Sequence, residues 1–535
     1  MVRIKKLGEL KSERERKRLQ AKLEKVEEVI APPVSEEGKT IENDVDANFQ
    51  RLKKLLGESN DLITRRITIP AHPDVVIGLA YMDGLVNYEV IERFIMNAMA
   101  HHLEEDLNKT ASDPYRTIVE YSLAVGEISE ETQFDKALLH ILSGDTVVFV
   151  QGCKTCITTN TRGWQQRSIT DPQSQTVVRG PRDSFTETLR TNTALVRRRI
   201  KSSNLWCEVQ QVGEVTKTDV ALMYIKGIVD EKIIEEVKER IDKIDIDGIL
   251  ESGYIEELIQ DEDYTPFPTI FNTERPDVVA ACLLEGRVAI IVDGTPFVLL
   301  VPSLFIQYFQ SAEDYYQRAD IATLIRLIRY ISFFLALLTP SAYIALTTMH
   351  QEMLPFPLLV SIAAQREGVP FPALVEAFIM EITFEILREA GIRMPRNVSS
   401  AISIVGALVL GEAAVQAGLV SPAMIIVVAI TAISNFVSPA YDMAIAVRML
   451  RFILMMLSAA FGFFGIIIGL IFMILHLCSI RSFGINYMAP MAPFDRKGQK
   501  DSLIRRSLKK MTTRPSLASE ENIVRQHQPS ENTNK

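Results

Sequence analysis

Residues 327–349 read LIRYISFFLALLTPSAYIALTTM, with no charged residue after Arg329. As an α-helix this stretch would be roughly 34 Å long, enough to cross the hydrocarbon core of a bilayer. Working outward, further apolar runs occupy 402–420, 423–437 and 452–478. Lipid offers backbone groups no hydrogen-bond partners, so runs of this length predict packed helices. The chain before them is polar and shows short β-like runs alternating with helices. The expected fold class is therefore α+β: a soluble region of two related α/β subdomains, then an all-α polytopic membrane domain.

The 535-residue chain carries a net charge of −9, which argues against a nucleic-acid partner. Cys153, Cys156, Cys207, Cys282 and Cys478 are too few and too scattered for a disulfide framework and suit a reducing cytoplasm. Residues 1–20 are charged throughout without an apolar core, so no signal peptide is expected. Residues 1–60 read as a charged, partly disordered arm in which Leu19, Leu23, Val26 and Ile30 recur at near-helical spacing.

From residue 61 the chain repeats itself. LAYMDGLVNYEVIERF at 79–94 matches LMYIKGIVDEKIIEEV at 222–237, an offset of 143. ALLHILSGDTVVFVQG at 137–152 matches VAACLLEGRVAIIVDG at 279–294, an offset of 142. Each unit reads strand, Gly-turn, helix, then helix, glycine, strand, glycine, strand. The glycine pairs 84/227, 144/286 and 152/294 fall where turns and helix C-caps need positive φ. Two copies this far apart indicate duplicated subdomains, placed at 61–160 and 206–320.

Between them, 161–205 is read as a connecting helix and loop. Ser184 is expected to cap a helix starting near Phe185, with Glu187 completing a capping box. Arg179, Arg182, Arg190, Arg197, Arg198 and Arg199 form a basic set. It has two open readings, a site for phosphate, anionic lipid or an acidic partner, or ties between the subdomains. Cys153 and Cys156 form a lone CxxC without a second ligand pair, which reads as coincidence. No Walker A loop, nucleophile elbow, HExxH or kinase signature is present. The chain thus reads as a non-enzyme with no cofactor and no metal.

The membrane domain is placed at 321–480 and a polar, largely disordered cytoplasmic tail at 481–535. Arg318, Arg326 and Arg329 before the first span, and a basic tail after Arg481, put both flanks in the cytoplasm. The number of crossings is then even, four or six. Residues 371–390 form an apolar helix on which Glu381, Glu385 and Arg388 share a face and Glu376 lies off it. Its carboxylates either line a pathway or turn to water at the interface. Glu412 is a further intramembrane candidate. Residues 441–479 are too long for one upright helix and barely long enough for two, with Gly462 and Gly465 as breaking points. The short apolar run near 355–370, bounded by prolines, reads as re-entrant or interfacial.

Several long blocks together resemble one family. RGPRDSFTETLRTNTALVRRRI, TPFPTIFNTERPDVVAACLLEGRVAIIVDGTPFVLLVP, SAEDYYQRAD, TTMHQEMLPFPLLVSIAAQREGVPFPALVEAFIMEITFEILREAGIRMPR and APMAPFD are similar to the A subunit of spore germinant receptors, the GerA family. The resemblance spans about 60–495. It implies an integral protein of the spore inner membrane, with the N-terminal domains and tail on the cytoplasmic, spore-core side. It also implies a transporter-like B subunit and a lipoprotein C subunit as partners. Copies are expected to oligomerise through the cytoplasmic domains into a nutrient-gated monovalent-cation channel. Candidate pore or gate residues are Val360, Glu376, Glu381, Glu385 and Glu412; a secondary transporter and a signalling scaffold remain alternatives.

Overall fold

The computed structural model describes residues 40–69, 72–92, 128–163, 175–393, 411–496 and 498–514, with positions 115, 172, 522, 524 and 525. The chain forms two compact units, residues 1–260, 270–302 and 508–535 in one and 261–269 and 303–507 in the other. Most of the charged arm, the 402–410 part of the second apolar run and most of 515–535 lie outside the described residues.

Two antiparallel five-stranded sheets build the first unit. One has the order β1-β2-β4-β5-β3, from β1 (Leu62–Ile69), β2 (His72–Met82), β3 (Ile128–Glu131), β4 (Thr146–Val150) and β5 (Cys156–Thr159). The other has the order β6-β7-β9-β10-β8, from β6 (Leu205–Val212), β7 (Thr218–Ile225), β8 (Phe271–Thr273), β9 (Val288–Val292) and β10 (Val298–Val301). The register repeats too, because Leu79 opposite Val148 becomes Leu222 opposite Ile290. The paired glycines have φ of 79°/80°, 92°/88° and 88°/90°, a region that L side chains enter only at a cost. That cost explains the glycine kept at each of these turns in both copies.

Strands β4 (TVVFV) and β9 (VAIIV) are buried along their whole length, which needs cover on both faces. Val147 and Phe149 pack under helices α1 (Val45–Leu55) and α2 (Phe134–Leu142), while Val148 and Val150 join a second cluster with Ile77, Tyr81 and Ile157. The second sheet carries α3 (Leu189–Arg199) and α6 (Pro276–Leu284) in the matching places, and also α4 (Glu231–Asp242) and α5 (Ser252–Ile259).

Helix α3 is therefore the first element of the second half, where the sequence suggests a connector, and α1 opens the first half. One device starts both. The Asn48 amide bridges Glu42, donating to its carbonyl (2.8 Å) and accepting from its N–H (3.1 Å). Asn192 does the same at Thr186 (2.6 and 2.7 Å). The Val45 N–H donates to Gln151 Oε1 (3.1 Å), and the Leu189 N–H to Asp293 Oδ1 (2.9 Å). Ser184 does not cap α3 as expected. Its hydroxyl and the Phe185 N–H both donate to the Glu274 carbonyl, so 184–185 runs extended and the helix begins only at Leu189.

The second unit is helical: α7 (Ala319–Thr348), α8 (Phe356–Arg366), α9 (Ala373–Arg393), α10 (Pro422–Phe436) and α11 (Tyr441–Ser479). Two of these, α7 and α11, are long and apolar enough to cross a membrane, and α10 is apolar but shorter. Helix α11 is broken at Gly462 (φ 60°, ψ −140°). Beyond the break the chain folds back on itself. Gly465 lies against the Leu457 carbonyl and Gly469 against the Leu454 side chain, residues that a straight helix would hold well over 10 Å apart. Helix α11 is a hairpin with glycines at its seam.

Arg326 and Arg329, the cations read as flanking the first span, are both buried. Arg326 donates to Asp314 Oδ2 (3.1 Å), Asp501 Oδ1 (2.9 Å) and the Ser502 carbonyl (3.1 Å), and Arg329 donates to Asp314 (2.8 Å). Where a largely disordered tail is expected from 481, the described residues of 481–514 are ordered against the rest of the chain, with a two-stranded turn at 481–486, a buried Tyr487 and Tyr315 Oη donating to Asp501 (2.6 Å). A buried guanidinium must be fully hydrogen-bonded, and Asp501 supplies part of that shell, which ties this segment to α7.

Candidate functional site

Helix α9 carries four glutamates; Glu389 pairs with Arg393 on an exposed face, while the 100° periodicity sets Glu381 and Glu385 on one side and Glu376 on another. Glu381 is 1% exposed and pairs with Arg451 of α11, which is equally buried (2.8 Å). One turn on, Glu385 pairs with Arg448 (2.7 Å) and reaches Arg451 at 3.5 Å. Arg388, the third member of this face, lies over the rings of Phe436 and Tyr441, 5.6 Å from each centroid. Off the face, Glu376 is fully buried and accepts from the N–H and the hydroxyl of Ser421 (2.5 Å each), with Arg366 of α8 3.7 Å away. Ser421 is itself the N-cap of α10, its Oγ accepting from the Met424 N–H (3.3 Å).

Spacing alone turns these carboxylates toward a pathway or toward water. In the structure Glu376, Glu381 and Glu385 all find partners within the unit. The face is legible from spacing, but its partners are not, because Arg448 and Arg451 lie 63 and 66 residues beyond Glu385. Breaking a buried pair on one side costs about 3–5 kcal/mol. Satisfaction is incomplete: Glu381 Oε1 and Arg451 Nε are buried without a hydrogen-bond partner among the described residues. A half-satisfied pair in a low-dielectric interior is an energetic reservoir.

The other candidates stay apart from this cluster. Val360 is 51% exposed on α8, and Glu412 is exposed in a short helix, accepting from Gln416 (3.2 Å). Among the arginines, Arg197 is buried and forks onto Asp61, with Nη2 2.8 Å from Oδ1, and donates to the Leu205 carbonyl (2.9 Å). Beside it the Cys207 N–H donates to Ser59 Oγ and the Asn60 N–H to the Cys207 carbonyl (3.1 Å each). Burial opposes the Arg197 charge, but the Asp61 carboxylate more than compensates and holds its pKa above the ordinary value. Arg199 pairs with Asp183 (2.6 Å) and Arg190 with Asp83 (3.3 Å), while Arg179 and Arg182 are exposed and Arg198 is half-buried. Cys156 is buried in β5 and its thiol is pushed up to about 12 by burial and by Glu131, whereas Cys153 is half-buried. Among the described residues no cluster of His, Cys, Asp and Glu could hold a metal ion.

Residues 50–517 match the family model described as Bacillus/Clostridium GerA spore germination protein. The chain is 53% identical over 479 residues to spore germination protein KA of Bacillus subtilis (strain 168), covering 90% of this chain and 87% of that one. It is 43% identical over 505 residues to the uncharacterized membrane protein YfkQ of the same strain, with 94% and 96% covered. The crystal structure of the N-terminal domain of the A subunit of the Bacillus megaterium spore germinant receptor GerK3 superposes with a TM-score of 0.40. It is 38% identical and covers 50% of this chain and 98% of its own.

Proposed function

The chain belongs to the GerA family of spore germination proteins, and from that premise we propose that it is the ion-conducting A subunit of a nutrient germinant receptor. A role in spore germination follows from the family. Helices α7 and α11, each long enough to cross a bilayer, support membrane residence. In this reading the helical unit sits in the spore inner membrane, with the first unit and the C-terminal tail on the cytoplasmic side. Copies associate through the first unit around a monovalent-cation path, and a transporter-like B subunit and a lipoprotein C subunit complete the receptor.

The observation that carries the reading is the buried Glu381–Arg451 pair. Ionisable groups inside apolar helices are expensive and mark ion pathways or switches. Paired with Arg451 and Arg448, the α9 carboxylates describe a resting arrangement, and exchanging arginine for a passing cation would open it. Val360, on the exposed side of proline-flanked α8, is the gate candidate, and Glu376 anchors α8 and α10 beside it.

The test uses the receptor with its partner subunits reconstituted in liposomes. Nutrient is expected to release a trapped monovalent cation, and absence of flux from correctly assembled receptor ends the conduction reading. Glu381→Gln is expected to change the flux at least tenfold with assembly retained. A buried pair can also do no more than hold two helices together, and a charge swap separates that role from gating. If Glu381→Arg with Arg451→Glu restores normal flux, the pair only holds α9 to α11.

A further inference from the structure

Helix α5 presents a face that no described residue covers. Its inner residues Ser252, Ile255 and Ile259 are buried. Tyr254 and Leu258, one turn apart, are 42% and 48% exposed, and Leu250 just before the N-cap is 69% exposed. Val215 extends the patch, because its N–H donates to the Asp247 carbonyl (2.8 Å) and its side chain is 77% exposed. Scattered apolar residues on a surface are ordinary, but Leu250, Tyr254 and Leu258 follow at four-residue intervals with Val215 of the β6–β7 loop bonded to the segment just ahead of them, and such a patch marks a contact surface.

The border of the row is acidic. Residues 239–257 hold seven carboxylates against two cations, Arg240 and Lys243. Both cations are engaged: Arg240 with Glu236 (2.7 Å) and the Ile259 carbonyl (2.7 Å), and Lys243 with Glu239 (2.5 Å). The fitting partner is therefore basic and amphipathic.

This chain carries such a segment. Residues 1–25 hold ten cations against four carboxylates, and Leu19, Leu23, Val26 and Ile30 follow at spacings of 4, 3 and 4. Spacings of that kind set one apolar stripe on a helix. The tether from 27 to 39 spans up to about 45 Å extended, on the order of the width of a domain of this size.

We propose that the N-terminal arm of the same chain docks on the α5 face, laying Leu19, Leu23 and Val26 against Leu250, Tyr254 and Leu258. Its arginines and lysines then face the acidic border. Helix-in-groove recognition of this type takes affinity from the apolar anchors and orientation from the charges. The proposal does not depend on the conduction reading, since no step of it involves the helical unit.

The experiment uses the full-length receptor in detergent with a photo-reactive phenylalanine analogue at Tyr254. A cross-link to a peptide from 14–31 at monomer mass is expected, and it should be lost in Leu19→Glu with Leu23→Glu. The same probe at Val178, which is 90% exposed, should give no arm product. A product of doubled mass (a second copy), capture of lipid or another polypeptide, or no product overturns the proposal. Deleting residues 1–31 should also speed amide exchange across 252–259 roughly tenfold, and unchanged rates overturn it equally.

Discussion

At the junction of the two sheets Asp61 of the first half accepts from Arg197 of the second, buried at 1% on both sides. By the offset of 144 that carries Asn48 to Asn192, the counterpart of Arg197 is Lys53, and by the offset of 143 the counterpart of Asp61 is Asn204. Lys53 is exposed. The two halves thus share strand order, register, turn glycines and helix-starting asparagines, yet they differ at the buried ion pair between them. The sheet, its turn glycines and the asparagine ahead of its first helix are present twice. The buried pair is present once, and an exposed lysine is what the position becomes without a neighbour.

The largest effect is expected at the buried Asp61–Arg197 pair. Asp61→Ala leaves the Arg197 guanidinium buried without its carboxylate and is expected to cost about 3–5 kcal/mol. Lys53→Ala is expected within about 0.5 kcal/mol of wild type. Denaturant unfolding of the detergent-purified chain, followed by Trp206 fluorescence, checks both; similar losses would erase the asymmetry. Asn48→Ala and Asn192→Ala sharpen the shared part. Each deletes a side chain that satisfies backbone groups ahead of a helix, so each should cost about 1–3 kcal/mol, and by similar amounts. A loss confined to one half would show that the device matters in only one copy.

The smallest effect concerns thiols. Burial pushes Cys156 and Cys282 up to about 12. With a folded pKa above the unfolded one, their contribution to stability is fully present below the ordinary thiol range and is lost as pH rises toward 12. At pH 8 a thiolate-specific reagent should label Cys153 in the native first unit and leave Cys156 and Cys282 untouched, as mass spectrometry can read. Rapid native labelling of Cys156 would show that β5 opens to solvent.

Much of this fold is legible because some backbone positions favour one residue strongly. Positive φ strongly favours glycine, so 84/227, 144/286 and 152/294 declare the repeat in the letters themselves. The helices α1 and α3 are harder. Their offset slips from 142–143 to 144, and the N–H of their first residue is held by Gln151 and Asp293, more than a hundred residues downstream. Ser184 misleads for the same reason: a capping box is a local pattern, and the carbonyl of Glu274 outcompetes it from a distance. In the candidate site the spacing of Glu381, Glu385 and Arg388 gives their common face. That the face meets arginine and not water depends on how α11 packs, which periodicity does not encode.

The Gly462 break has a consequence for counting. A hairpin sends its two ends back the same way, whether or not its tip reaches the far side of the bilayer. It therefore adds an even number to any tally of crossings and leaves the parity untouched. The long apolar sequence from 441 to 479, the most obvious span in the chain, has no vote on which side the C-terminal segment emerges. If α7 crosses once, as the proposed function has it, the stretch between α7 and α11 must supply the other crossing for both flanks to share a compartment.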